Sequence, residues 1–442
     1  MPSRPDALVL QDLKQTRSER ELHATAYPVL TLPIEITTEI FLRCFLVFDP
    51  LCIPQCTSSA AIILTGVCRA WRDIALATPI LWSRLEVFFD LIATRVASEP
   101  FLVESFIDRW LSRAGNCPLS LCLLSFEYEL STLDRLRDII YRWSHRVQHL
   151  DLQIGCPNIR LLGLDSTRFP LLESATLHFL HEADPSLSHP VVIFSNAPRF
   201  HQLHLQTVLT PSTFMLPWLH LTKFEGIITS LELFTIAPSL TEVTVSFSPR
   251  GVLPMEVIHG GIKSLTGTGN DLIRYLTLPA LRSLNIYGTT SYGSLESFLA
   301  RSSPPLVSLS VRKNTTETCL GTFEKCMSLV AGTLESLKLQ QVSTRGVLSA
   351  LYAAPNLRTL DFDDVYHQPC LFALVDFLYA RSDTMRTVQI GWASETFLDR
   401  LTMAGPPGPE SDSESIRDRL SRLARTGMDI RLGSSNRTYP WM

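Results

Sequence analysis

Two rhythms of apolar residues divide the chain. From Pro33 onward, Ile36, Ile40, Phe41, Cys44, Phe45 and Phe48 follow one another at steps of four, one, three, one and three, while Glu39 and Arg43 form an i,i+4 pair away from them. That spacing predicts an amphipathic helix with one broad apolar face. Pro33 suits its first turn, where an N–H would be unpaired, and Glu35 and Glu39 lie toward the positive end of the helix dipole. The segment "DPLCIPQCTSS" then interrupts with two prolines. A second helical pattern puts Ile63, Leu64, Val67, Cys68 and Trp71 on one side and stops at Thr78-Pro79, leaving Leu81 and Trp82 to fold back. Such a short segment has too little interior to hide so many large apolar side chains, so a partner helix is expected to cover part of them.

Beyond residue 101 the rhythm changes to short strands of the form L-x-x-L-x-L, recurring from "CPLSLCLLS" to "DTMRTVQIGW". Their middle apolar positions fall at Leu121, Leu150, Ala175, Leu203, Phe224, Val243, Leu265, Leu284, Leu309, Leu337, Leu360 and Val388, with steps of 19 to 29 residues. Helical patterns such as "FLVESFIDRWLSRAG", "LDRLRDIIYRWSHR" and "LFALVDFLYARS" lie between several of them. Units of this length that alternate strand and helix stack into a leucine-rich-repeat-like α/β solenoid, its strands lining a concave wall. The Asn that usually follows such a strand is largely missing. Small residues and prolines before the strands ("APSL", "LPAL", "APNL") are expected to make the turns. Residues 181–196 read as a protruding loop.

The wording of the first region adds a resemblance. "LPIEITTEIFLRC", "VCRAWRDIAL" and "LW" resemble an F-box, and the stretch from 28 to 87 is similar to F-box-like proteins of mushroom-forming fungi, although "VFDPLCIPQCTSSAA" is a longer linker than usual. The resemblance implies docking on a Skp-family adaptor and, through it, on a cullin scaffold. It assigns Leu32, Pro33, Ile36, Ile40, Val67, Cys68 and Trp71 to the adaptor, with Phe41, Leu81 and Trp82 in the F-box core. The expected organisation is then α/β: a polar helical or disordered arm (1–27), an all-helical F-box (28–90), a curved solenoid (101–403), a flexible acidic loop (404–415) and a C-terminal cap (416–442). In that cap Ile416, Leu420 and Leu423 share a helix face, and a strand follows around Met428 to Leu432.

Composition narrows the function classes. The 442 residues are 45% hydrophobic and 19% charged, and the net charge of -4 provides no basic footprint for nucleic acid. No apolar run approaches the roughly 18 residues of a membrane span, and the N-terminus lacks a secretory apolar core, so a cytoplasmic or nuclear protein is expected. Ten scattered cysteines form no CxxC pair; Cys52 and Cys56 lack a nearby His, and no metal or other cofactor is expected. No phosphate-binding loop or G-x-S-x-G elbow occurs, "GTGND" lacks a third glycine, and Arg-Val-Gln between His145 and His149 excludes HExxH. Serines 411, 413 and 415 sit among acidic residues in what reads as a solvated loop.

The reading is therefore a non-enzymatic substrate receptor of an SCF-type ubiquitin ligase. A scaffold that uses the repeat surface without directing degradation is the alternative. Aromatic anchors expected to meet a protein target are Trp218, Phe247, Tyr287, Tyr366 and Trp392.

Overall fold

The computed structural model describes residues 32–46, 57–89, 101–125, 130–154, 162–179, 190–208, 214–249, 256–269, 272–288, 291–313, 320–340, 347–365, 371–392, 416–434 and 437–440. The expected arm (1–27), the linker around Cys52 and Cys56, Tyr366 and the acidic loop (404–415) lie outside them. The fold is mixed α/β, and the chain forms two compact units: Met1–Gly155 with Thr167–Leu172, and Cys156–Ser166 with Glu173–Met442.

The first unit opens with α1 (Ile34–Leu46). The Pro33 carbonyl accepts the Thr37 N–H at 3.0 Å and its hydroxyl at 3.2 Å, so Pro33 stands just before the helix instead of inside its first turn. The second predicted helix is two helices, α2 (Thr57–Val67) and α3 (Arg69–Leu76). Cys68 breaks it: its backbone is extended, and its Sγ accepts the Trp71 N–H at 3.4 Å as the N-cap of α3. The expected single stripe also divides within α2, where Leu64 is buried but Ile63 and Val67 are exposed. A 3-10 turn, Pro79–Trp82, brings Leu81 and Trp82 inside. The Trp82 indole donates to the Ala75 carbonyl at 2.8 Å and meets Trp110 edge-on at 4.7 Å, with the Arg113 guanidinium 4.6 Å over its ring.

Trp110 belongs to α4 (Phe101–Arg113), the first helix of the expected repeat region. Strand β1 (Arg84–Phe88) continues the connection by pairing in parallel with β2 (Leu119–Ser125), which pairs with β3 (Val147–Ile154). Helix α5 (Leu130–Trp143) is tied to α4 through Asp108, which takes the Trp143 indole N–H at 3.0 Å and an ion pair from Arg142. The helical head and the first repeats thus fall in one compact unit. Leu85 and Val87 are the physical reason: they alternate inward along β1 and share the core of β2.

The second unit carries strands β4 (Ser174–Phe179), β5 (Val191–Val192), β6 (Gln202–Val208), β7 (Phe214–Met215), β8 (Lys223–Ile228), helix α6 (Leu233–Ile236), β9 (Glu242–Phe247), β10 (Val257–Ile258), β11 (Ser264–Gly269), β12 (Leu276–Thr277) and β13 (Ser283–Gly288). Strand and helix then alternate: α7 (Tyr292–Ser302), β14 (Ser308–Lys313), α8 (Leu320–Val330), β15 (Ser336–Gln340), α9 (Val347–Leu351), β16 (Thr359–Val365), α10 (Leu371–Ala380) and β17 (Thr387–Trp392). The order β4-β6-β8-β9-β11-β13-β14-β15-β16-β17 is parallel throughout.

From Ala175 to Val388, the ten middle apolar positions aligned by sequence are register partners strand by strand, and all are buried. A backbone ladder sets this register. The Thr241 carbonyl accepts the N–H groups of Lys263 and Ser264, that of Lys263 accepts those of Arg282 and Ser283, and the pattern runs on through Arg282, Val307, Glu335 and Arg358 at 2.8–3.1 Å.

One expectation changes in this unit. Residues 190–196, expected to protrude, place Val191, Ile193 and Phe194 in the core, with β5 paired to β7; residues 180–189 lie outside the described set. Among the described residues between β4 and β13, the connections are two-residue strands, 3-10 turns and the four-residue α6. At the C-terminus, α11 (Ile416–Arg425) buries Leu420 and Leu423, and the expected strand forms as β18 (Asp429–Ser434), parallel to β17 with Ile430 opposite Val388, before β19 (Arg437–Pro440) turns back antiparallel.

Two glycines respond differently to an added methyl. Gly267 borders a small void among Leu265, Leu272, Ile273, Leu284 and Ile286, and a Cβ there would meet only Leu272 Cδ2, at 3.7 Å. A Cβ on Gly226 would lie 2.6 Å from the Leu205 carbonyl oxygen. Gly267→Ala is expected to stabilise by about 0.5–1 kcal/mol and Gly226→Ala to destabilise by about 1–3 kcal/mol, read from urea unfolding midpoints. Equal shifts for the two would contradict this packing.

Candidate functional site

Helices α1 and α2 are apolar on two sides. Thr37 and Phe41 of α1 and Ala61 and Leu64 of α2 face the core with Leu81 and Trp82. On the outward side Ile36 and Ile40, four residues apart in α1, are 50% and 38% exposed, and Ile63 and Val67, four apart in α2, are 62% and 55% exposed. Leu32 ahead of α1 is also exposed. Among the described residues, nine of the eighteen exposed large apolar side chains fall between Leu32 and Ile80, so the bare apolar surface is concentrated on this head. Covering the exposed half of each such side chain is worth about 1 kcal/mol, and patches of this kind mark docking surfaces.

The head is internally braced, so the outer residues are not needed to hold it. The Arg72 Nε donates to the Thr65 carbonyl at 2.8 Å, closing α2 on α3. Thr78 Oγ1 donates to the Ile74 carbonyl at 2.7 Å, and Phe41 meets Trp71 edge-on at 5.0 Å. Exposed Glu39 and Arg43 pair at 2.8 Å on α1.

The residues assigned to an adaptor therefore separate. Leu32, Pro33, Ile36, Ile40 and Val67 present themselves to solvent. Cys68 and Trp71 are less open: the thiol is half-buried as a helix cap, and the indole is half-buried against Phe41. The Trp71 indole N–H is buried and meets no acceptor among the described residues. Phe41, Leu81 and Trp82 are 0%, 1% and 1% exposed. Ile63 is the most exposed residue of this outer face, and the one-helix reading missed its prominence by placing it beside buried Leu64.

Of the expected target anchors, Trp218, Phe247 and Tyr287 fall in separate elements. Phe247 is corrected outright: Val243, Val245 and Phe247 alternate inward along β9, so its ring lies in the core beside Tyr275. Trp218 is half-buried, its indole bonded to the Phe214 carbonyl at 3.1 Å, and Tyr287 is half-buried and accepts from Asn285 Nδ2 at 2.9 Å. Trp392 ends β17, its side chain outside the described set.

Ionisable chemistry is sparse. Burial pushes the Cys326 thiol up to about 12 and, with Asp151 nearby, also raises that of Cys122, so neither is a thiolate near neutral pH. Among the described residues no group of three His, Cys, Asp or Glu side chains is placed to hold a metal ion, and no helix is long and apolar enough to cross a membrane.

The two sides of the head should respond oppositely to substitution. Ile63→Asp/Val67→Asp is expected to leave the circular dichroism spectrum and melting temperature unchanged while lowering binding of a hydrophobic dye; Trp82→Ala should cost about 3–5 kcal/mol. A melting temperature that falls equally in both would show that the outer face is structural. Comparison with known proteins found no matching family model and no similar curated protein.

Proposed function

We propose that this chain is a substrate-recognition subunit of an SCF-type ubiquitin ligase, its N-terminal head an F-box that docks on a Skp-family adaptor and its repeats the holder of a protein target. The observation that carries the reading is the bare outer face of α1 and α2. Its residues Ile36, Ile40 and Val67 occupy positions that the F-box resemblance gives to the adaptor, and the core beneath them is already filled by Phe41, Leu81 and Trp82. An apolar helical face of this kind suits a groove between partner helices.

The in-register parallel strands support the second half. Read as degenerate leucine-rich repeats, they form a solenoid whose polar strand face is open to a target, and the chain itself performs no catalysis: ubiquitin is transferred by other subunits. On this reading the protein works in the cytoplasm or nucleus.

The test uses purified adaptor, alone and with the cullin scaffold, against the full chain and an Ile36→Asp/Val67→Asp variant. Both positions are half exposed or more, so the variant keeps its fold. The wild type is expected to bring down adaptor and cullin together, and the variant to lose adaptor binding by about a hundredfold, as charge replaces two central contacts. Adaptor capture without cullin would point to the scaffold role instead. Wild-type protein that captures no adaptor, or a variant that binds as well as wild type, would overturn the reading.

A further inference from the structure

The second unit repeats a feature that its fold does not require. The residue before each strand and the first strand residue read KS, RS, VS, ES, RT and RT in β11, β13, β14, β15, β16 and β17, each pair followed by the buried Leu or Val. The backbone ladder, made by main-chain atoms alone, already sets the register, so neither the cation nor the hydroxyl is needed for it. Yet Ser264, Ser283, Ser308, Ser336, Thr359 and Thr387 are direct register partners across all six strands. Strand alternation puts them on the face opposite the buried leucines. They are half-buried, and their hydroxyls make no hydrogen bond within the described residues.

Beside this hydroxyl row runs a rim of exposed residues: Lys263, Arg282, Val307, Glu335, Arg358 and Arg386. None of the four cations has an ion pair or side-chain hydrogen bond within the described residues. The rim is therefore two neighbouring cations, an apolar-acidic centre and two more neighbouring cations, lined along one side by hydroxyl donors.

We propose that this rim binds an extended acidic polypeptide segment whose two anionic clusters sit on Lys263/Arg282 and on Arg358/Arg386. Anionic oxygens accept charge-assisted hydrogen bonds from the guanidinium and ammonium groups and from the adjacent hydroxyls. Arg282 and Arg358 are three strands apart, about 14 Å at the usual strand spacing, which an extended chain covers in about four residues. Glu335 in the middle of the row and the net charge of -4 oppose a continuous phosphate backbone and favour a peptide with uncharged residues between its acidic ends. Val307, 36% exposed, offers those residues an apolar contact. The inference rests on the reading of the repeats as a target-binding surface and names the class of target; adaptor capture, measured in the same samples, is independent of it.

The test is fluorescence anisotropy with the full chain and labelled peptides. The probes are a peptide with two Asp-Asp pairs about four residues apart, as the strand spacing sets, its phosphoserine counterpart, its Asn counterpart, one with all acidic residues contiguous, and a single-stranded DNA of similar length. The spaced acidic or phosphoserine peptide is expected to bind, more weakly as salt rises, and to lose about tenfold or more in affinity to Arg282→Gln/Arg358→Gln. Which of the two binds better identifies carboxylate or phosphate as the anion. Arg109→Gln/Arg425→Gln, an equal charge change at two exposed positions off the rim, should bind like the wild type. The proposal is overturned if neither anionic peptide binds, if the Asn or contiguous peptide binds as well, if both double variants weaken binding equally, or if DNA binds as tightly with the same dependence on Arg282 and Arg358. Adaptor capture that persists without peptide binding would remove only this inference, and the reverse would remove only the F-box reading.

Discussion

The regular part of this molecule depends on a single recurring hydrogen-bond geometry: a carbonyl just ahead of one strand accepts two N–H groups from the chain entering the next. From Glu173 to Arg358 each such carbonyl takes both, so every new strand is placed before its side chains are consulted. Backbone groups at the edge of a core must find partners, and this arrangement satisfies them without a dedicated capping side chain. It also explains how connections of such different content can be tolerated. A two-residue strand, a 3-10 turn or a full helix can fill the return path, because the ladder and the buried residue that follows it fix the register.

The helical head obeys a different constraint. Its helices are short, yet nearly every turn carries a large aliphatic residue, and only one side of each helix can face the core. Phe41, Leu64, Leu81 and Trp82 fill that core, and Trp82 fastens it to Trp110 of the first repeat helix. The excess remains outside as Ile36, Ile40, Ile63 and Val67. A surface so costly to hydrate persists where a partner covers it, and that physical surplus, beside the F-box wording, underlies the proposed docking.

Much of this was legible in the sequence because it is written in periodicity. The aligned strand positions from Ala175 to Val388 are register partners, since a buried residue of fixed parity is what a parallel stack needs from each strand. The break at Cys68 was not legible: helical spacing runs straight through it, and only the thiol's acceptance of the Trp71 N–H marks the new start. Phe247 misled because an aromatic in a strand reads alike whichever face it occupies, and parity relative to Val243 decides it. β1 escaped notice because it is a single strand ahead of the repeats that define the pattern, visible only through its neighbour. The split of the chain beyond β3 has no signature in composition at all.

Hydrogen exchange of the full chain, alone and with a purified Skp-family adaptor, tests the docking claim most directly because it reads the footprint peptide by peptide. The account expects added protection in peptides covering residues 34–46 and 57–67, with those of β13 to β17 unchanged. Protection that falls instead on the strands of the second unit, or no protection anywhere at saturating adaptor, would contradict it.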